Sequence, residues 1–473
     1  MTTFLITLLI AYLLFAIWLG LKAKSQAENS STDYFLLGRN VGWFGLSLTI
    51  FATWMSTFAF LGSPGYYFAK GVSWFLPHGL LVVASPMLLY FLGRRIWALG
   101  KKHNYMTPGD LISDRYNSQA LKVMVGIISI IALIPYSMIQ VVGIGKVIEI
   151  GTNGTVPYWG GVVITIVGIG VYSFIGGIRA IVWTDIVQAV LFITVMLLGA
   201  FLAISLTDGF WAGLTESIAA KPELFKFNPE RWGAVLTTAL IWTVGYILLP
   251  HMWQRSYMAD SAKTLGRSAA LGSSMALLFI VIPSLIMGFW GTGSLSLTGG
   301  PDSFVPTLYN QVMPLLIPLL ILATFAAGMS TVDSQLLSAS SVLLKDVVEP
   351  ITGRKLSEEQ EKKIGRIFLM GFVLLLATLA LTKLGGNTIV FIASKGTGIA
   401  TLFLVPLLGA LFIKKLSPAT GITTLGIGAI VLFVLEAGII SMKAPYGIGA
   451  PVVALMSQVI VFFAIHKVSR KTD

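Results

Sequence analysis

Long apolar stretches separated by short polar segments repeat along the whole chain. Each stretch approaches or exceeds the roughly 20 residues that an α-helix needs to cross the hydrocarbon core of a bilayer. The pattern predicts an all-α integral membrane protein with about 13 transmembrane helices. These spans are predicted near residues 3–22, 42–69, 74–97, 121–149, 158–176, 180–205, 233–254, 269–293, 314–344, 366–383, 386–413, 418–440 and 448–466.

Composition supports a membrane class. Of the 473 residues, 56% are hydrophobic and only 11% are charged. In soluble domains about a quarter of all residues are charged. Cysteine is absent, which excludes a disulfide framework, a thiolate metal site and a cysteine nucleophile.

The basic residues define a topology. The net charge is +12, and most of the 32 Lys and Arg residues, including Arg255, fall in the loops and tail on one side of the predicted spans. Because cytoplasmic loops are enriched in Lys and Arg, we expect the N-terminus outside and the C-terminus in the cytoplasm, with the protein in the plasma membrane. The basic excess is a topology signal, so we expect no nucleic acid partner. The expected surroundings are the lipid bilayer, and no obligate protein partner is evident.

Two predicted spans contain helix-breaking residues at membrane depth. ATWMSTFAFLGSPG (52–65) is predicted to be interrupted around residues 62–65, and TTALIWTVGYILLPHMWQRS (237–256) at Gly245 and Pro250. Backbone groups freed in a bilayer are tolerated where they line a polar cavity or coordinate an ion. One interruption alone favours an ordinary proline kink, but two at matching positions favour a central binding site.

The spans after the first divide into two sets of five. Because five is odd, the two sets must have opposite orientations in the membrane. The predicted domains are a first helix with its inner loop, a first inverted repeat, an outer loop, a second inverted repeat, and two peripheral helices with an inner tail, at residues 1–40, 42–205, 206–232, 233–413 and 418–473.

A second polar cluster lies in ILATFAAGMSTVDSQLLSASSVLLKD, residues 321–346. Its small residues would allow a neighbouring helix to approach closely. Sodium is a hard cation that takes oxygen ligands, and the hydroxyls of Ser330 and Thr331 would provide them together with carbonyls freed near Ala52 and Met55. The alternative is that these hydroxyls bond only to their own helix backbone.

These segments resemble one family. FAAGMSTVDSQLLSASSVLLKD (325–346) is similar to the eighth core helix of the sodium/solute symporter family, which includes proline, pantothenate, monocarboxylate, sialic acid and glucose carriers. DYFLLGRNVGWFGLSLTIFATWMSTFAFLGSPGYYFAKG (33–71) resembles the first core helix, and VYSFIGGIRAIVWTDIVQ (171–188) the segment joining the fourth and fifth. The resemblance implies a LeuT-type 5+5 inverted-repeat core with one extra N-terminal helix and two extra C-terminal helices.

The resemblance also implies site residues. A sodium site would use backbone oxygens of Ala52, Met55 and Ala327 and side-chain oxygens of Ser330 and Thr331. A second ion site, present in some members, maps to Asp185, Ser330, Asp333 and Ser334. Asp333 departs from the hydroxyl or small residue expected there, and would either strengthen ion binding or be protonated. By the same resemblance the candidate substrate-binding positions are Ser56, Thr57, Trp242, Tyr246 and Pro250. For Trp242, Tyr246 and Pro250 the alternative is ordinary helix packing.

Lys395 lies inside a predicted span, in NTIVFIASKGTGIATLFL. A buried ammonium normally faces a cavity or a partner. We therefore include it among the candidate substrate-binding residues, with a substrate carboxylate, Asp333 or Asp185 as its partner. The alternative is that it extends to the outer surface. A further departure is Trp54, which stands where the proline carrier has an acidic residue and so argues against a direct assignment as a proline carrier.

The predicted function is sodium-coupled symport of a small organic solute by alternating access. The solute would be a monocarboxylate, a pantothenate-like acid or an amino acid such as proline. A proton-coupled or uncoupled carrier, or a solute sensor with a symporter-like fold, is the alternative. The scattered histidines and missing cysteines do not support an enzyme, and no cofactor is expected beyond Na+ as the coupling ion.

Overall fold

The computed structural model describes residues 2–25, 31–172, 177–227, 232–441 and 447–472. Short parts of the predicted domains 1–40, 42–205, 206–232 and 418–473 lie outside the described residues, as does part of the family-like segment 171–188.

The described residues are almost entirely helical, which confirms the all-α class; their β-structure is limited to an isolated bridge between Val41 and Ala259. The α-helices are α1 (Thr2–Lys24), α2 (Ser31–Leu36), α3 (Trp43–Trp54), α4 (Ser63–Lys70), α5 (Phe75–His103), α6 (Pro108–Tyr116), α7 (Gln119–Gly151), α8 (Tyr158–Tyr172), α9 (Gly177–Ile204), α10 (Phe210–Ala220), α11 (Trp232–Leu240), α12 (Tyr246–Leu248), α13 (Pro250–Met258), α14 (Ala262–Ala276), α15 (Ile282–Ser294), α16 (Phe304–Val312), α17 (Ile317–Val342), α18 (Glu349–Thr352), α19 (Glu358–Ala380), α20 (Ile389–Ala400), α21 (Leu404–Phe412), α22 (Pro418–Glu436) and α23 (Ala450–Thr472).

Shorter helical segments connect or extend these helices. The π-helical segments are Phe58–Gly62, Ile241–Gly245, Leu277–Val281 and Leu343–Val348. The 3₁₀ turns are Leu37–Arg39, Gly71–Trp74, Pro222–Phe225, Pro301–Ser303, Pro314–Leu316 and Thr401–Phe403.

Ten helices in the described part of the chain are long and apolar enough to cross a membrane, or up to 11 if the bent pair Trp232–Leu248 and Pro250–Met258 forms one span. The predicted count of 13 is not confirmed. The apolar helices Trp43–Trp54 and Tyr158–Gly170 are shorter than a full crossing, and Phe58–His103 forms one continuous helical run where the hydropathy predicts the end of one span and the whole of the next.

The first interruption lies earlier than the sequence predicts. Helix α3 ends at Trp54, and Met55 leaves the helical region with φ −76° and ψ 80°. The predicted position at residues 62–65 is wrong, because these residues are helical. Pro64 lies shortly after the π-helical segment Phe58–Gly62, and the helix continues through it into α4 without a break.

The second interruption falls where Gly245 and Pro250 predict it. Leu249 is extended, with φ −62° and ψ 139°, because a residue that precedes proline is disfavoured in the α conformation. The helices on either side, Trp232–Leu248 and Pro250–Met258, are bent by 51°. Proline therefore sets the position of this break.

Helix α17 forms the centre of the bundle. Nearly every side chain from Ile317 to Val342 is buried, and the helix packs on α7, α9, α13 and α3. Gly328 allows the close approach that the sequence predicts, since a Cβ there would lie 2.6 Å from the Ile144 side chain of α7. At the periphery, apolar side chains of α1 such as Phe4 and Leu14 are exposed, as lipid contact requires.

Candidate functional site

The hydroxyls of α17 reach the end of α3. Ser330 Oγ donates to the carbonyl oxygen of Ala52 over 3.3 Å, and Thr331 Oγ1 donates to that of Thr53 over 3.4 Å. All four residues are buried. The structure therefore brings Ser330, Thr331 and Ala52 together, and these two hydroxyls bond across to a second helix rather than only within their own.

The two other predicted sodium ligands lie beside this contact. Met55 occupies the interruption itself, directly after α3, and is fully buried. Ala327 is also fully buried and precedes Thr331 by one helical turn, on the same face of α17. The C-terminal end of α3 carries carbonyl groups and a negative partial charge, which suits a cation.

An arginine that the charge pattern assigns to an inner loop lies inside the site. Arg255 is 1% exposed, within α13, so its assignment to a loop is wrong. Its guanidinium donates to Thr53 Oγ1 at 2.5 Å, to Ser334 Oγ at 3.0 Å and to the His251 carbonyl at 2.9 Å. The signal that could identify it is its position within two turns after the predicted break at Pro250.

Asp185, a predicted ligand of the second ion site, belongs to the same network. Its carboxylate accepts a hydrogen bond of 2.7 Å from Thr49 Oγ1. It interacts electrostatically with Arg255, and Ser330 is also within its reach. A buried carboxylate needs a compensating partner. Arg255 contributes positive charge close to the place where the sequence predicts a second cation.

Asp333 is buried on α17 and interacts electrostatically with Tyr12 of α1. The Tyr12 hydroxyl also accepts a hydrogen bond from the Gln188 side chain of α9. Asp333 thus lies near α1, whereas Ser334, the next residue, contacts Arg255. Of these two predicted ligands of the second ion site, Asp333 therefore faces α1 and Ser334 faces α13.

Thr57 is held in the first interruption by α7. Its backbone N–H donates to Gln140 Oε1 over 3.1 Å, and its hydroxyl reaches both Gln140 Oε1 at 3.0 Å and the Ile139 carbonyl at 2.9 Å. Gly143 of α7 makes room for the Thr57 side chain. The neighbouring Ser56 is fully buried, and its hydroxyl makes no hydrogen bond within the described chain.

Aromatic side chains of the second interrupted helix surround the first. The Trp242 ring stacks on Phe58 with centroids 4.4 Å apart. The Tyr246 hydroxyl donates to the Thr53 carbonyl over 3.4 Å, and its ring lies 6.2 Å from that of Trp54. Trp242 and Tyr246, predicted to bind substrate, therefore lie against the 53–58 segment.

Pro250, also predicted to bind substrate, is buried in the first turn of α13. Its clearest role in the structure is to set the second interruption. Helix α13 then carries Arg255 to the Thr53 hydroxyl.

Lys395 lies apart from these residues. Its ammonium forms an ion pair with Glu436 of α22 and lies 4.7 Å from the Phe391 ring centroid. The side chain is 40% exposed. The predicted pairing with Asp185 or Asp333 is therefore replaced by a pairing with a peripheral helix, which hydropathy alone does not show.

Interrupted helices that meet inside an apolar bundle are typical of membrane carriers. The sequence profile of the Sodium:solute symporter family matches residues 34–428. The chain belongs to this family, whose members are transporters, and it is a multi-pass membrane protein.

Similar proteins span almost the whole chain. A Bacillus subtilis (strain 168) protein named uncharacterized symporter YhjB is 27% identical, over 97% of this chain and 96% of that protein. The sodium/pantothenate symporter of Escherichia coli (strain K12) is 26% identical over 90% of this chain and 89% of its own. The sodium/proline symporter of Staphylococcus aureus (strain JH9) is 26% identical over 97% of this chain and 92% of that protein.

A solved structure has the same fold. It shows the substrate-bound outward-open state of a Na+-coupled sialic acid symporter, described as revealing a novel Na+-site. The TM-score is 0.82, with 98% of each chain covered and 16% sequence identity.

Proposed function

We propose that this protein is a sodium-coupled symporter that imports a small organic solute by alternating access across the plasma membrane. The solute is a monocarboxylate, a pantothenate-like acid or an amino acid such as proline. The proposed architecture is a LeuT-type 5+5 core with one helix before it and two after, the N-terminus outside and the C-terminus cytoplasmic. The contact of Ser330 and Thr331 with the carbonyls of Ala52 and Thr53 is the observation that carries this proposal.

The proposed sodium ligands are the backbone oxygens of Ala52, Met55 and Ala327 and the hydroxyl oxygens of Ser330 and Thr331. Such a set of neutral oxygens matches the preference of a hard monovalent cation. The hydroxyl–carbonyl distances of 3.3 and 3.4 Å are long for O–H···O hydrogen bonds, so a cation between these oxygens would replace weak contacts. Asp185, Asp333 and Ser334 are the proposed residues of a second ion site, which Arg255 adjoins.

One carbonyl connects the proposed ion site to the proposed solute site. The Thr53 oxygen accepts hydrogen bonds from both Thr331 and Tyr246, each over 3.4 Å. An ion that repositions this carbonyl also repositions Tyr246, and the reverse holds because coupling between two binding sites is reciprocal. An inward potential of 100 mV supplies about 2.3 kcal/mol per transported charge, enough for roughly fifty-fold accumulation.

Uptake into proteoliposomes tests the proposal. A panel of monocarboxylates, pantothenate and amino acids is offered with and without an inward sodium gradient, and accumulation is expected only with the gradient. Ser330→Ala and Thr331→Ala are expected to raise the sodium concentration for half-maximal uptake. Thr324→Ala is the matched control, since among the described residues the buried Thr324 hydroxyl bonds only to Leu320 of its own helix.

Three results would contradict sodium symport, and each has a different meaning. Accumulation driven by a pH gradient without sodium indicates proton coupling. Equilibration without accumulation indicates an uncoupled carrier. Solute binding without uptake indicates a sensor.

A further inference from the structure

The amide of Gln140 has only one orientation that satisfies its neighbour. The Thr57 backbone N–H is a donor and cannot accept, so the side-chain atom facing it at 3.1 Å must be the oxygen Oε1. The Nε2 group then points elsewhere. Gln140 is fully buried, and Nε2 makes no hydrogen bond with any described residue. Two amide hydrogens are thus presented inside the protein beside the first interruption.

Other donors around the same segment also lack acceptors in the described chain. These are the indole Nε1 of Trp242, the indole Nε1 of Trp54 and the hydroxyl of Ser56. An indole N–H and an amide NH₂ can only donate. Buried donors without acceptors are unfavourable, and the acceptor oxygens of water or of a bound molecule would satisfy this group of atoms.

The residues that carry these donors adjoin both interrupted helices. Gln140 follows Tyr136 by one turn of α7, so both lie on the same helix face. The Tyr136 ring is 5.8 Å from that of Tyr246, and Gln140 bonds to Thr57. That face of α7 therefore contacts both interrupted helices.

Most donors of the charged side chains in this region are already engaged; the exception is Arg255 Nε, which has no acceptor among the described residues. The Nη atoms of Arg255 donate to Thr53, Ser334 and His251, and Lys395 pairs with Glu436. An anionic group that enters between the interrupted helices therefore meets mainly neutral donors.

We propose that Gln140 determines specificity for a solute carboxylate, which it binds through Nε2 together with the Ser56 hydroxyl and the Trp242 indole. This inference rests on the proposed function, because it places the solute between the interrupted helices. It adds that recognition of the carboxylate uses neutral hydrogen-bond donors rather than a basic side chain. The aromatic rings of Trp242 and Tyr246 contact the apolar body of the solute.

Pairs of acids and their carboxamides test the inference by binding alone. The probes are pantothenate, lactate and L-proline, each with its carboxamide, added to the detergent-purified full chain in sodium. The rise in unfolding temperature gives the half-saturating concentration. At least one acid is expected to bind the wild-type protein about 10- to 100-fold more tightly than its carboxamide, the range of one hydrogen bond to a charged group.

Gln140→Glu should reverse this preference. The carboxylate introduced by this substitution can still accept from Thr57 N–H, but it repels an acid and accepts from a carboxamide NH₂. A structural defect would weaken binding of both probes equally. The inference predicts instead that the affinity for the acid falls and the affinity for the carboxamide rises. Trp242→Phe retains an aromatic ring beside Phe58 but removes the indole donor and part of the ring, so it should weaken binding of the acid more than binding of the carboxamide. Gln458→Glu is the control, because Gln458 of the peripheral helix α23 donates to the Leu402 carbonyl and the substitution should leave the preference unchanged.

The inference is overturned if no acid in the panel binds, if acid and carboxamide bind equally to the wild type, or if Gln140→Glu weakens both by one factor. These results are independent of the sodium gradient. Sodium-driven uptake with equal acid and carboxamide binding would retain the proposed function and reject only the role of Gln140. Preferential acid binding with sodium-independent uptake would retain the role of Gln140 and reject sodium-coupled symport.

Discussion

The guanidinium of Arg255 donates a hydrogen bond of 2.5 Å to the hydroxyl of Thr53, and this contact joins the two interrupted helices inside the protein. Arg255 lies on α13, after the second interruption, and Thr53 lies one residue before the end of α3. The same Nη2 atom also donates to Ser334 of α17. One buried cation therefore links α13 to both helices that carry the proposed sodium ligands.

Replacing this arginine should destabilise the protein strongly. Arg255→Met removes the hydrogen bonds to Thr53 and Ser334 together with the positive charge that acts on the buried Asp185, and hydrogen bonds to a charged group contribute about 1.5–3 kcal/mol. Adding Asp185→Asn should restore much of the loss, because the double variant buries no uncompensated charge. Thermal unfolding in detergent measures both effects.

The comparison variant is Arg354→Met, at an exposed position after α18, where a change within about 0.5 kcal/mol is expected. If the losses of Arg255→Met and Asp185→Asn simply add, the two residues are not coupled.

Sodium itself should stabilise the folded protein. A ligand that binds only the native state adds about 2.7 kcal/mol at one hundred times its dissociation constant. Unfolding temperature is therefore expected to rise with sodium chloride and not with potassium or choline chloride. Ser330→Ala and Thr331→Ala should move the midpoint of this rise to higher sodium, whereas Thr324→Ala should not. An equal rise with potassium would argue against a sodium site.

The two interruptions show which part of the fold local sequence determines. Pro250 sets the extended conformation of Leu249 through its own ring, so the second break is predictable from two adjacent residues. The first break at Met55 has no such local cause. Gly65, part of the predicted break, instead allows α4 to approach the Pro301 carbonyl too closely for a Cβ atom. A glycine that serves helix packing cannot be distinguished by sequence from one that ends a helix.

The site shows a similar division. Ser330 and Thr331 could be predicted as facing residues, because their spacing and small neighbours indicate a helix contact. Arg255 could not, since its position near the end of an apolar span resembles an inner-loop charge. Its partners Thr53 and Ser334 are distant along the chain, and only tertiary packing brings them together.

The ion pair between Lys146 and Asp302 should hold α7 against the start of α20. Asp302 Oδ2 accepts from Lys146 Nζ at 2.8 Å and from the Ile389 N–H at 2.9 Å, while Lys146 also donates to the Asn387 carbonyl at 2.9 Å. Asp302→Asn is expected to cost about 2 kcal/mol, as for hydrogen bonds to charged groups. The substitution should therefore make the contact between α7 and the start of α20 open more often.

Cysteine labelling measures that opening, because the chain contains no cysteine of its own. Val390 is buried and lies next to Gly62 of the π-helical segment. In a Val390→Cys background, Asp302→Asn should raise the rate of reaction with a water-soluble maleimide roughly thirty-fold, the equivalent of about 2 kcal/mol. Glu358→Gln is the control, since its pair with Lys362 is exposed at 3.8 Å. Equal rates in both variants would show that Asp302 does not hold this region closed.

Gly245 should not tolerate even a methyl group. A Cβ at this position would overlap the Thr397 carbonyl oxygen of α20, and a backbone atom cannot move aside as a flexible side chain can. Gly245→Ala is expected to cost about 1–3 kcal/mol by overpacking. Gly79→Ala in α5 is the control, because no described atom lies within 4 Å of the place that a Cβ would take there and alanine favours a helix. Thermal unfolding that is unchanged by Gly245→Ala would show that α20 can shift away from the interrupted helix.

Lys395 should be dispensable for solute binding. Its ion pair with Glu436 is partly exposed, and such pairs contribute about 0–1 kcal/mol. Lys395→Met is therefore expected to leave the half-saturating solute concentration and the sodium requirement of uptake unchanged, with at most a small fall in unfolding temperature. Glu436→Gln should behave in the same way, because it removes the other half of the same pair. A tenfold loss of solute binding in Lys395→Met but not in Glu436→Gln would contradict this prediction. It would show that the ammonium contacts the solute during the transport cycle and that Lys395 is a substrate-binding residue.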